Sequence, residues 1–269
     1  MSSKIRFAYG ESNFEKVIQK QAFFVDKTPY LEKLEDFGND RVAFLRPRRM
    51  GKSLFVSILE YYYGKEHKDK FDRLFGKLYI GQHPTPLANT YAVLKMDFSG
   101  IDTSTEERAY QGFLTTIKLH ITEFNKSYHC FGAGQSAFIQ AQDNPELVMK
   151  AFFSHYRGEK IYLIIDEYDH FTNELLLQDL HQFQRAVTKN GYVRKFYETI
   201  KIATQQAVID RVFITGVSPI TLDALTSGFN ILSHLTTELL FHDMMGFTEE
   251  QVSEVLYAVL EDKSRHPEM

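Results

Sequence analysis

Cysteine occurs once, at Cys130, in a chain of 269 residues. No internal disulfide can form and a cysteine-based zinc site is excluded, so Cys130 reads as a buried or half-buried free thiol. Tryptophan is absent, while 23 Phe and 15 Tyr are present. Without a basic groove beside them, these rings read as core filler and not as a platform for stacked bases. No stretch approaches the roughly 20 apolar residues of a membrane span. The start, Met1-Ser2-Ser3-Lys4-Ile5-Arg6-Phe7, lacks an apolar run of the signal-peptide kind. A cytoplasmic protein is therefore expected. Excess positive charge is also missing: the formal net charge is -4. No global field draws the chain to nucleic acid or a membrane surface, although a local basic patch is compatible with that balance. None of the ten histidines belongs to an H-E-x-x-H motif. There is no internal repeat, low-complexity tract or Pro/Gly linker.

What is present is ordinary in composition, 43% hydrophobic and 25% charged. The length suffices for one large α/β domain, alone or with a small appendage. Short apolar runs alternate with longer helical patterns, which predicts a mainly parallel sheet covered by helices. Strands are expected at Arg41–Leu45, Ala92–Phe98, Lys160–Ile165 and Arg211–Thr215, with a short fifth near Leu239-Leu240-Phe241. The third is almost continuously apolar and should be buried on both faces. Helices are expected over Lys52–Tyr63, from Ser104 with Glu107 completing a capping box, and from Asn144-Pro145. Tyr110, Phe113, Leu114, Ile117 and Ile121 share one helical face. Two more helices are expected over Leu175–Lys189 and Val193–Gln205. Thr248 and Gln251 should cap a last helix with an apolar stripe of Val252, Val255, Leu256 and Val259, followed by a frayed tail, Glu261–Met269.

The first strand runs into Arg46-Pro47-Arg48-Arg49-Met50-Gly51-Lys52-Ser53, and a helix follows. That is the setting of a phosphate-binding loop. Backbone N–H groups at a helix start point at phosphates, and the helix dipole favours their charge. Gly51 allows close backbone approach. Lys52 can reach the β- and γ-phosphates as a mobile point charge, and the Ser53 hydroxyl suits Mg²⁺, a hard cation. Arg46 stands where the usual pattern has its first glycine, and with Arg48 and Arg49 it offers guanidinium groups that could assist the phosphates.

The third strand ends in Ile164-Ile165-Asp166-Glu167. In a parallel sheet both motifs lie at the carboxyl ends of strands, where ligands bind. Asp166 is placed to hold the hydration shell of Mg²⁺, and Glu167 to take a proton from, or orient, an attacking water. Asp169 and His170 read as polar loop groups, because no second cluster completes a metal site with them. The fourth strand ends in Thr215-Gly216-Val217-Ser218-Pro219. On a strand between the loop strand and the acidic strand, Thr215, or secondarily Ser218, can contact the γ-phosphate or the water. A simple Thr-Gly turn explains the same residues equally well.

Five segments in order resemble the AAA-ATPase-like domain family of P-loop proteins, whose members often continue into a nuclease-like domain of the PD-(D/E)XK type. They are Phe24–Thr28, Leu45–Leu54, Leu163–Asp169, Phe213–Pro219 and Met245–Glu250, and the resemblance spans about residues 5–260. It implies that Arg46 belongs to the loop pattern, with Met50 replacing a usual Phe. It implies ATP and Mg²⁺ binding through Lys52, Ser53, Asp166 and Glu167, within a loop reaching from Arg46 to Leu54. It also implies that Asp26, Lys27 and Thr28 lie near the nucleotide. Glu66-His67-Lys68 and Glu261-Asp262-Lys263 match the nuclease signature by letters only.

The expected architecture is a three-layer P-loop NTPase fold of the additional-strand class with a C-terminal helical segment. Residues 1–247 should form the ATPase-like domain, and 248–269 a helix and tail leading toward a downstream domain absent from this sequence. The expected function is a slow Mg²⁺-dependent ATPase, completed in cis by Arg48, Arg49, Arg194 or Arg211, or in trans by another subunit. A nucleotide-gated interaction module with little turnover is the alternative, working as a homo-oligomer or with a nuclease-like partner supplied elsewhere.

Overall fold

Near-continuous burial along the four longer strands marks a sheet covered on both faces. The computed structural model describes residues 6–225 and 228–259. Among them, β1 (Arg41–Leu45), β2 (Ala92–Asp97), β3 (Ile161–Asp166), β4 (Ile209–Gly216) and β5 (Ser233–His234) form one sheet in the order β2-β3-β4-β1-β5. Every pairing is parallel. The chain thus has a P-loop NTPase-like α/β fold, with β4 inserted between the loop strand β1 and the acidic strand β3.

Two cores flank the sheet. On one face Val42, Phe44, Val93, Tyr162, Ile164 and Phe213 meet α1 (Phe14–Gln19), α2 (Pro29–Asp36), α3 (Lys52–Tyr63), α4 (Phe71–Phe75) and α5 (Tyr79–Gln82). On the other, Ala43, Leu94, Met96, Leu163, Ile165 and Ile214 meet α6 (Glu106–Tyr128), α7 (Ala133–Gln140), α8 (Pro145–His155), α9 (His170–Gln178), α10 (Leu180–Val187), α11 (Tyr192–Gln205) and α12 (Ile220–Leu225). Since β3 is buried throughout and paired on both sides, each of its aliphatic side chains contributes about 1.5–3 kcal/mol of apolar burial. A last helix, α13 (Glu249–Val259), starts with a reciprocal cap: Gln251 N–H donates to Thr248 Oγ1 at 3.3 Å, and Thr248 N–H to Gln251 Oε1 at 3.1 Å. Among the described residues no helix is long and apolar enough to cross a membrane.

Several expectations shift. The cap of α6 is Thr105, whose hydroxyl accepts from Arg108 N–H at 3.2 Å, and not Ser104. The helix expected over Leu175–Lys189 divides at Asp179, which ends α9 and caps α10 by accepting from His181 N–H at 2.7 Å. The fifth strand is Ser233–His234; Leu239–Phe241 forms a 3-10 turn instead. That apolar triplet inserts only Phe241 into the core, while Leu239 is 90% exposed. In α13, Val252 and Leu256 are exposed and Val255 is half-buried. The side chain of Val259, the tail Glu261–Met269 and Glu261-Asp262-Lys263 lie outside the described residues.

Candidate functional site

The strand-to-helix loop turns sharply because Arg49 (φ 68°) and Gly51 (φ 86°) adopt left-handed backbone. Arginine tolerates that conformation poorly; glycine takes it without cost. No side chain caps α3, and the first amide to bond back is Phe55 N–H, to Gly51 O at 3.0 Å. The N–H groups of Lys52, Ser53 and Leu54 therefore have no acceptor within the helix, and this start attracts an anion.

Lys52 is only 4% exposed. Its ammonium donates to Arg46 O (3.1 Å) and Pro47 O (3.2 Å) and lies 3.8 Å from Glu167 Oε1. The loop thus folds around its own lysine. The Ser53 hydroxyl lies beside the Asp166 carboxyl and favours its charged form. Burial pushes the Asp166 carboxyl up to about 6, with Asp97 and Glu167 adding repulsion and Ser53 opposing the shift. Asp166 accepts from Glu167 N–H at 3.0 Å. Glu167 itself has left-handed backbone (φ 48°), a strained conformation held at the end of β3.

Thr215 is fully buried, and its Oγ1 finds no hydrogen-bond partner among the described residues. The Ser218 hydroxyl is engaged, accepting from Ile220 N–H at 3.3 Å. Asp169 is fully buried and accepts from Val217 N–H (3.1 Å), Ser218 N–H (2.6 Å) and Asn173 Nδ2 (2.8 Å). It clamps the turn after β4 to the start of α9. A Cβ at Gly216 would meet Asp169 Oδ1 at 2.3 Å, so glycine is required there. His170 lies 3.8 Å from Glu174 Oε1.

Arg46 keeps its backbone in the loop, but its guanidinium turns to the C-terminal segment. It lies over the Phe44 ring at 4.4 Å and donates to Thr236 O (3.2 Å) and His242 O (3.3 Å). A glycine in its place could not make that brace. Pro47, Arg48 and Arg49 are exposed. Arg211 is remote from the loop, near the amino-terminal end of β4, paired with Asp40. Arg194 pairs with Glu198 at 2.9 Å.

Beside the loop lies an apolar cavity of about 160 Å³, whose lining includes Phe23, Val25, Met50, Leu54, Met244 and Phe247. Lys27 borders it and donates to Asp243 O (2.7 Å) and Gln251 Oε1 (3.2 Å), which ties the N-terminal segment to α13. Gly246 N–H donates to Met50 O at 3.0 Å, and a Cβ there would strike Met50 at 2.7 Å. Asp26 and Thr28 are engaged in local structure: Asp26 accepts from Thr28 N–H and Tyr79 N–H, both at 2.8 Å. The cavity joins segments from both ends of the chain, which sequence spacing does not connect. Asp97 stands level with Asp166 on the adjacent strand, a second acid outside the two motifs. Its signal was the same as that of Asp166, an apolar strand ending in an acid.

The donors at the loop are oxygens, Ser53 hydroxyl and Asp166 carboxylate, which suits Mg²⁺. Among the described residues no group of three His, Cys, Asp or Glu side chains is arranged to hold a metal alone. A cation here would therefore depend on water and phosphate for most of its shell.

Comparison with known proteins agrees with this geometry. A family model described as "Predicted AAA-ATPase" matches residues 8–226. An uncharacterized protein in the vnfD 5' region of Azotobacter chroococcum mcd 1 is 26% identical over 255 residues. That match covers 94% of this chain and 45% of the relative, so the chain spans about half the relative's length.

Proposed function

Because the chain belongs to the AAA-ATPase-like family of predicted AAA-ATPases, we propose that it binds ATP with Mg²⁺ on the loop from Arg46 to Leu54 and hydrolyses it slowly to ADP and phosphate. The observation that carries this reading is the approach of Lys52 Nζ to Glu167 Oε1 at 3.8 Å, with Ser53 beside Asp166, which joins the phosphate loop to the acidic strand end. Two motifs far apart in sequence thereby share one site.

In this reading the free N–H groups of Lys52, Ser53 and Leu54 receive phosphate oxygens. Lys52 leaves the carbonyls of Arg46 and Pro47 for the β- and γ-phosphates. That movement also frees Glu167, which then takes a proton from, or orients, the attacking water. Bound Mg²⁺ would neutralise charge on the β- and γ-phosphates, held by Ser53 and Asp166. The unpartnered hydroxyl of Thr215 donates to the γ-phosphate or the water. The apolar cavity receives the base, and its aromatic, methionine and aliphatic walls support a nucleotide over free polyphosphate.

The second reading, a nucleotide-gated interaction module, has its own support. Phe247, Val252 and Leu256 expose an apolar surface at α13, which Lys27 links to the cavity wall. A further copy or a nuclease-like partner could read that surface. Hydrolysis of ATP by the wild type, Lys52→Ala and Glu167→Gln separates the two. Loss of turnover in Glu167→Gln with ATP binding retained supports the enzyme; wild-type binding with no turnover, with or without a partner, supports the module.

A further inference from the structure

One carboxylate at the site has no role in the reading above. Asp97 ends β2 and is paired in register with Asp166 of β3. Lys95, two residues earlier, forms an ion pair with Glu60 of α3 at 2.6 Å. Side chains two apart on a strand share a face, so Asp97 lies on the α3 face. In parallel strands register partners point the same way, which puts Asp166 beside it, on the side of Ser53. Continuing across the sheet, Ile165 pairs with Ile214 and Phe44 with Thr215, so Thr215 follows Asp166 in the same row. Asp97, Asp166 and Thr215 thus stand side by side at the carboxyl edge, on adjacent strands about 4.8 Å apart.

The row is electrostatically incomplete. Glu167 has Lys52 nearby. Among the described residues no cation forms an ion pair with Asp97 or Asp166; one oxygen of Asp97 accepts from Ser99 N–H at 2.7 Å. Two facing carboxylates repel unless a cation or shared water intervenes. On the other flank of Asp166, the buried hydroxyl of Thr215 also lacks a partner. Both flanks point to polar matter that the chain alone does not supply.

We propose that Asp97 is a positioning residue for Mg²⁺, accepting hydrogen bonds from water molecules of the cation's shell that it shares with Asp166. The inference rests on the nucleotide-site reading. Mg²⁺ gives up its water reluctantly and commonly keeps several molecules. Contact through water also agrees with the lack of a direct three-ligand cluster among the described residues. Asp97 then holds the shell from the side of β2, and Ser53 holds it from α3.

The test is a titration of a fluorescent ATP analogue, with and without Mg²⁺, on the wild type, Asp97→Asn and Asp97→Glu. Asp97→Asn should bind the analogue without Mg²⁺ as tightly as the wild type or more tightly. It should need about tenfold more Mg²⁺ to reach the metal-dependent affinity, the usual cost of losing a group that orients a metal's ligands. Asp97→Glu should recover part of the loss, and it decides the matter by itself if Asp97→Asn does not fold. An unchanged Mg²⁺ requirement overturns the proposal. So does an equal loss of affinity with and without Mg²⁺, which marks a purely structural residue. A wild type that binds no nucleotide overturns the underlying reading, a separate and recognisable result.

Discussion

Both edges of the sheet carry ionisable groups but treat them in opposite ways. At the amino-terminal edge Arg211 pairs with Asp40, and Lys160 with Asp210 at 2.6 Å. Tyr91 donates to Asp210 at 2.6 Å, and Glu35 accepts from Tyr63 (2.9 Å) and Thr85 (2.8 Å). Burial raises the Glu35 carboxyl, but its hydrogen bonds oppose the shift. At the carboxyl edge Asp97, Asp166 and Glu167 crowd together, Thr215 Oγ1 has no partner, and Arg49 and Glu167 hold left-handed backbone. At the amino-terminal edge Asn89 and Ala207 are left-handed too and Arg41 Nε lacks a partner, but there the acids are paired, whereas Asp97 and Asp166 form no ion pair among the described residues. The closed edge fixes the strands, and that rigidity lets the open edge keep polar groups that no ion pair among the described residues neutralises.

Breaking the open edge at Glu167 should have the largest effect. Glu167→Gln is expected to lower ATP turnover by about 10²–10⁴-fold with nucleotide binding retained, as measured by phosphate release and equilibrium binding. Breaking the closed edge should do the reverse. Arg211→Met should cost about 2–3 kcal/mol in denaturant unfolding, because it strips the charge from a buried site among Asp40, Tyr63 and Tyr162. ATP affinity should change less than about twofold in the folded fraction, which is about 0.4 kcal/mol.

Two smaller effects sharpen the contrast. Thr215→Val keeps the shape and removes the orphan hydroxyl. It should leave stability within about 0.5 kcal/mol and slow turnover about tenfold. If Thr215 is only a turn residue, turnover will not move. Asp166→Asn removes a buried charge from the crowded row. The ligand-free protein should gain about 1 kcal/mol, seen as a melting temperature about 2–4 °C higher, while Mg²⁺-dependent nucleotide binding is lost.

Much of the open edge was legible in the sequence because its elements are locally specified. The apolar run Ile161–Ile165 followed by Asp166 is a strand end on sight, and Gly51-Lys52-Ser53 marks a helix start. The placing of β4 between β1 and β3 followed from the resemblance and the two motifs together. Features set by distant packing were not legible. Ser233–His234 pairs only briefly with Val42 and Ala43, too short a run to announce itself, whereas the more apolar Leu239-Leu240-Phe241 turns one ring inward and leaves a leucine out. Asp179 interrupts a helical pattern that periodicity alone continues. The guanidinium of Arg46 bends to Thr236 and His242, a partnership no local window contains. The cavity at Met50, with walls from Phe23 and Phe247, is hidden for the same reason.

The most direct test of the central claim is calorimetric titration of ATP, with Mg²⁺, into the wild type and Lys52→Ala. The wild type should bind at one site, and Lys52→Ala should bind at least about tenfold more weakly, since a charged donor to phosphate is worth about 1.5–3 kcal/mol. A wild type that shows no binding, or an Lys52→Ala variant that binds as well as the wild type, would contradict the assignment of the loop from Arg46 to Leu54 as a nucleotide site.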